Sequence, residues 1–132
     1  MVVRMVSYNS QGLRLEQSAL DRAHRVVVDK LLEITDILCL QETFLDKQDL
    51  DKLNSVHSDY HGAGQSITDS STRMVRGRIP GGVAILWRKK YDPKISIFIL
   101  EVDWCIAIKV VHDMNIFIIL NVYTLYDCYK NE

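Results

Sequence analysis

Two segments in the last third of the chain, Cys105-Ile106-Ala107-Ile108 and Ile116-Phe117-Ile118-Ile119-Leu120, are apolar at every position. Successive side chains of a strand point to opposite faces, so a strand that is apolar throughout has to be covered on both sides. The chain must therefore build a layered fold with sheet between its partners. About six strands are predicted, over residues 2–9, 36–42, 83–87, 95–100, 104–111 and 116–123, from runs rich in β-branched and aromatic residues bounded by turn formers. Between the first two lies an amphipathic helix from Ser18 to Glu33. Leu20, Ala23, Val27, Leu31 and Ile34 recur there at helical spacing, with Arg22, Arg25, Asp29, Lys30 and Glu33 between them. Ser18 with Asp21 three positions on is an acidic variant of a capping signal. Strand, helix, strand implies a crossover that sets the two strands parallel and adjacent.

Leu45, Leu50, Leu53 and Val56 lie among charges in and beside residues 46–56, which read as a short surface helix with a solvated face. Residues 58–82 are rich in Gly, Ser and Thr and carry Arg73, Arg76 and Arg78, which reads as a long loop or a hairpin with a mobile tip. The last four strands follow with short links at Asp92-Pro93, Asp103 and 112–115, the pattern of an antiparallel meander. The expected fold class is α/β (α+β), a mixed sheet with one main amphipathic helix. One strong helix and one weak one cover a single face, so the other face is expected to lack a partner or to receive one from another chain.

Composition narrows the function. The 132 residues, 48% hydrophobic, suffice for one packed core. A formal charge of -1, from 16 basic and 17 acidic residues, excludes nucleic-acid binding by bulk charge and leaves only a local basic contact. Cys39, Cys105 and Cys128 are odd in number and far apart, and the first two sit in apolar runs, so they read as buried thiols in a reducing compartment. No pair has zinc-ligand spacing, and the chain's first nine residues turn polar too soon for a signal peptide. The longest apolar stretch, Ile116 to Leu120, is far short of the roughly 20 residues of a membrane helix. A soluble intracellular protein with no membrane partner is expected.

Four segments carry a resemblance. Ser7-Tyr8-Asn9-Ser10-Gln11-Gly12-Leu13, Asp36-Ile37-Leu38-Cys39-Leu40-Gln41-Glu42-Thr43, Gly81-Gly82-Val83-Ala84-Ile85-Leu86-Trp87 and Asn121-Val122-Tyr123 resemble, in order and spacing, the endonuclease/exonuclease/phosphatase superfamily with its DNase I-like fold. The likeness is greatest to the endonuclease domain of non-LTR retrotransposon polyproteins. The resemblance implies that residues 1–132 form a single partial domain, half of a four-layer α/β sandwich with its C-terminal half absent. It makes Glu42 the ligand of a weakly held Mg2+, and Asn9 and Tyr123 catalytic residues near the phosphate. Arg76 and Arg78 become nucleic-acid contacts. DNA becomes the substrate, nicked by phosphodiester hydrolysis, and the nucleus the place of action.

The family's later motifs, a Gly-Asp-x-Asn strand end and a terminal Ser-Asp-His or Asp-His, do not occur in the sequence. Each lost catalytic group typically costs on the order of 10²-fold or more in rate, so this chain alone is expected to be inactive. A complementing chain or a homodimer would cover the open sheet. Gln11 stands where relatives carry Asp or Asn, and Leu125 where they carry proline.

Without the family, Glu42 reads as an exposed strand-end acid, Asn9 as a turn former and Tyr123 as a half-buried packing residue. His57 and His61 have i, i+4 spacing but no third ligand, and read as loop histidines. Two alternatives stand beside the nuclease reading: a non-enzymatic remnant that pairs through its open sheet, and a lipid or inositol phosphoesterase of the same superfamily.

Overall fold

The computed structural model describes residues 2–13, 15, 22–71 and 80–124, with residues 22–24 by backbone alone. Seven strands form two sheets among these residues. The first sheet holds β1 (Met5–Asn9), β2 (Ile37–Gln41), β3 (Tyr60–Gln65) and β4 (Val83–Arg88), in the order β1-β2-β4-β3. β1 and β2 are parallel and the other pairs antiparallel, so this sheet is mixed, as the crossover through helix α1 (Arg22–Ile34) requires. The second sheet is the meander β5 (Ile95–Phe98), β6 (Cys105–His112) and β7 (Asn115–Val122).

The apolar runs in β2 and β4 divide by strict alternation. Leu38, Leu40, Ala84 and Leu86 face α1 and pack with Val28, Leu32, Leu53 and Tyr60. Ile37, Cys39, Val83, Ile85 and Trp87 face the second sheet and pack with Ile106, Ile108 and Val110. Burial between the sheets pushes the Cys39 thiol up to about 11, which keeps it protonated. Cys39 and Cys105 are both free thiols, and Cys128 lies outside the described residues.

The structure corrects the sequence reading at three places and decides a fourth. The predicted four-strand meander divides: β4 joins the first sheet, and the 3-10 helix Lys89–Lys94 carries the chain over to the second. The second sheet is thus supplied by this chain, and the open surface lies on the second sheet's outer face. The segment read as a long loop or a hairpin is a hairpin at its base, with β3 antiparallel to β4, and the glycines of β3 make room for Leu53. A Cβ at Gly64 would lie 2.8 Å from both Leu53 Cδ1 and the Val83 carbonyl oxygen.

The 3-10 helix Lys47–Ser55 keeps its charged residues in solvent yet seats Leu53 with no exposure at all. In α1 the buried positions are Val28 and Leu32, whereas Val27 and Ile34 of the expected stripe are exposed. The apolar doublets Val27-Val28 and Leu31-Leu32 admit two helical phases, and Tyr60 and Arg88 select one of them. The Tyr60 hydroxyl reaches the Leu32 and Thr35 carbonyls, and Arg88 Nη2 donates to Leu32 O at 3.3 Å and Glu33 O at 3.2 Å. These contacts satisfy carbonyls that a helix end leaves unpaired. The Ser18 and Asp21 cap lies outside the described residues.

Among the described residues both sheets are open along one side. β1 edges the first sheet and β7 the second, and a groove of about 580 Å³ runs between them, lined by Val3, Met5, Ile37, Val110, Phe117 and Ile119 among others. On the outer face Ile116, Ile118 and Leu120 are each about 60% exposed. No described helix is long and apolar enough to cross a membrane.

Gly64→Ala tests the account of β3. Alanine's conformational advantage of about 0.5–1 kcal/mol in a strand is outweighed by overpacking of about 1–3 kcal/mol, because a backbone carbonyl has to move. Urea unfolding should therefore show a net loss of stability; an unchanged or raised midpoint would contradict the packing described.

Candidate active site

Asn9 and Gln41 are register partners at the carboxyl ends of the parallel strands β1 and β2, so Glu42 leaves its strand beside Asn9. Crevices outside the carboxyl ends of such strands are where α/β sheets bind ligands. The backbone turns sharply here. Gln11, Glu42 and Phe44 have φ of 47°, 51° and 56°, in the left-handed region that non-glycine residues seldom enter.

A ladder continuing past the strand ends imposes this geometry. Gly12 N donates to Glu42 O at 2.7 Å, Leu13 N to Thr43 O at 2.9 Å, and Phe44 N to Gly81 O at 2.9 Å. The buried Ser10 hydroxyl lies 3.0 Å from Gln41 O and 3.1 Å from Glu42 O. Strain held this firmly by surrounding bonds is characteristic of functional turns. Gly82, at φ 95°, closes the other side: a Cβ there would come within 2.3 Å of Thr43 Oγ1. That buried hydroxyl has no hydrogen-bond partner among the described residues.

The second sheet delivers Tyr123. Its hydroxyl donates to Glu42 Oε1 at 2.6 Å, a charge-assisted bond between two half-buried groups. Tyr123 also packs against the inter-sheet core, so its packing role and its contact with Glu42 coexist.

Asn121, two residues earlier and 3% exposed, fixes the approach of β7. Its Nδ2 donates to Leu40 O at 2.9 Å and Ala84 O at 2.8 Å, while its Oδ1 accepts from Gln41 Nε2 at 2.7 Å. Gln41 Nε2 also lies 3.0 Å from Ser7 Oγ, which extends the polar string to β1. Sequence reasoning quoted Asn121 within a motif and gave it no role. The available signal was an amide at an inward-facing position of an otherwise apolar strand.

Asn9 is exposed, and its Oδ1 accepts from Gln11 N at 3.1 Å, which makes it a turn former as well as a neighbour of Glu42. Arg73, Arg76 and Arg78 lie outside the described residues. His61 is on a strand, not in a loop. It pairs with Ile37 through Trp87 in the sheet register, at the opposite end from Glu42, and its Nδ1 lies 2.8 Å from Asp92 Oδ2. Hydrogen bonds from His61 and from Trp87 Nε1 hold the Asp92 carboxyl below its ordinary value, against the upward push of desolvation. His57 Nδ1 accepts from Asp59 N at 3.0 Å.

The described residues contain no group of three or more His, Cys, Asp or Glu able to hold a metal ion. Glu42 thus offers one carboxylate, which suits magnesium. That ion accepts one or two carboxylates and keeps its remaining positions for water and phosphate oxygens.

The model of the Endonuclease/Exonuclease/phosphatase family matches residues 6–127. The chain belongs to this family. Solved structures give the same fold. The crystal structure of the AP endonuclease LMAP from Leishmania major superposes with a TM-score of 0.62 at 18% identity, covering 92% of this chain and 40% of that one. An AP endonuclease from Archaeoglobus fulgidus gives 0.50 at 22%, covering 83% and 37%. The human Nocturnin catalytic domain, solved with bound sulfate, gives 0.52 at 17%, covering 89% and 48%. The chain therefore spans less than half the length of these family structures, and its fold is half of a DNase I-like α/β sandwich. No curated protein sequence matches it.

Replacing Asn121 with leucine removes both amide donors and leaves the Gln41 amide facing a hydrocarbon. Leaving buried polar groups unsatisfied costs about 1–3 kcal/mol, so Asn121→Leu should lower the unfolding free energy by that amount in urea. An unchanged midpoint would show that the two sheets do not depend on this amide.

Proposed function

We propose that this chain is the metal-anchoring half of a magnesium-dependent endonuclease that nicks DNA, of the kind found in retrotransposon polyproteins. The observation that carries the reading is the Glu42 carboxylate, held in a left-handed turn beside Asn9 and bonded to Tyr123 at 2.6 Å. Family membership supports phosphoester chemistry. The two AP endonucleases among the similar structures, and the resemblance of the four motifs to those of retrotransposon endonucleases, favour DNA over lipid or inositol phosphates.

In this reading Glu42 would hold Mg2+. A bound divalent cation supplies Lewis-acid stabilisation of the charge that grows on the phosphate during hydrolysis. The chain's own residues then do three things. The Tyr123 hydroxyl fixes Glu42 Oε1, so Glu42 would hold the ion with a carboxylate the fold has already oriented. The Asn9 amide nitrogen donates to a phosphate oxygen, since its carbonyl oxygen serves the turn. The inter-sheet core behind Tyr123 excludes water from one side of the pair.

Hydrolysis also needs a base for the attacking water. His57 and His61 belong to the far end of the sheet, and in this reading the base comes from the covering half. That half, a complementing polypeptide, would add strands to the β1 and β7 edges and fill the groove between them.

The same open side favours a second reading, a non-enzymatic module that pairs through these edges as a homodimer. β7 has no charged or proline residue from Ile116 to Val122, the protection that edge strands usually carry. Sedimentation separates the two, because a stable dimer of the isolated chain would favour the pairing module.

Nicking of supercoiled plasmid in magnesium and in EDTA tests the nuclease account. The purified chain should nick no faster in magnesium than in EDTA. Magnesium-dependent nicking abolished by Glu42→Ala would contradict the half-site account and show that the base is already present.

A further inference from the structure

Beside Tyr123 lies a recess of about 230 Å³ that the chemistry above does not use, bounded by Ile67, Gly81, Gly82, Asp103, Trp104 and Tyr123 among others. We propose that this recess is a slot for the nucleobase next to the bond being cut, with the Trp104 indole as its stacking surface. The proposal rests on the phosphodiesterase reading and adds a means by which the substrate strand is gripped.

The two tryptophans of the chain are used differently. Trp87 is 5% exposed, packs between the sheets and donates its ring N–H to Asp92. Trp104 is 45% exposed and belongs to neither core cluster. Its backbone is nonetheless fixed, because Trp104 O accepts from Tyr123 N at 3.0 Å. An indole left in solvent on a rigid strand entry is a ready platform for a flat ring, and stacking on it is indifferent to base identity.

Three further features fit a base. Gly81 and Gly82, at φ of 65° and 95°, give part of the wall as bare backbone, and a side chain at Gly82 would strike Thr43. The carboxylate at the rim, Asp103, is paired with Lys47 at 3.4 Å, which reduces its repulsion of a phosphate backbone. The volume lies below the roughly 300–1,000 Å³ of sites for drug-sized ligands, as suits one ring system. Tyr123 joins this recess to Glu42, so a base in the slot would sit one residue's width from the metal-anchoring carboxylate.

The test uses a short single-stranded DNA and a matched strand whose central nucleotide lacks its base, each titrated into the chain in magnesium. Binding is read by anisotropy of a label on the DNA and by intrinsic tryptophan fluorescence. The intact strand should quench the fluorescence, and the abasic strand should bind on the order of 10-fold more weakly. Trp104→Phe should retain that difference. Trp104→Ala, with its fold checked by circular dichroism, should bind both strands alike at the weaker level.

If Trp104→Ala binds as tightly as the native chain and still prefers the intact strand, the slot is wrong and the phosphodiesterase reading stands. If the native chain binds neither strand, both are overturned.

Discussion

One buried amide sets the relation between the two sheets, and the site depends on that relation. Asn121 gives both hydrogens to carbonyls of the first sheet and takes one from Gln41, so every polar atom of its side chain is satisfied. In the low-dielectric space between sheets such a network fixes one arrangement, because any slip would leave three groups unpaired. Apolar packing alone would tolerate sliding of β7 over β2 and β4. With the amide in place, Tyr123 has one position, and its hydroxyl meets Glu42 at 2.6 Å.

The turn that presents Glu42 is the second part of the same device. Left-handed backbone at Gln11, Glu42 and Phe44 costs about 1–3 kcal/mol per residue. The strand-end ladder and the Gly81-Gly82 corner offset that cost. The outcome is a carboxylate placed beside Asn9 by the fold itself. Among the described residues the edges of β1 and β7 are open, and the groove between them is lined from the Met5 and Ile37 ends of the first two strands, away from Glu42. In the reading proposed above, a half-domain docking there would extend the two sheets.

Much of this was legible in the sequence, for identifiable reasons. The crossover, the parallel β1–β2 pair and the placement of Asn9 and Glu42 at strand ends follow from local periodicity and turn residues, and the structure reproduces them. The hairpin alternative for residues 58–82 holds at its base, but the bounds of β3 stay hidden because Gly62 and Gly64 look like loop residues until Leu53 is seen resting on them. The phase of α1 was misread because adjacent apolar pairs leave it to tertiary contacts. The division of the last four strands into two sheets turns on a single 3-10 segment, Lys89–Lys94, which no periodicity signals. Asn121 and Trp104 carry weight only through partners far off in sequence, which no local pattern shows.

The central claim is that the Glu42 turn is a preformed cation anchor. The most direct measurement is a magnesium titration followed by amide resonances of the isolated chain, with trace manganese as a relaxation probe and Glu42→Gln as the comparison. The account predicts shifts and broadening confined to residues around Asn9, Glu42 and Tyr123, and absent in Glu42→Gln. Perturbation spread over surface carboxylates, or equal in the two proteins, would contradict it.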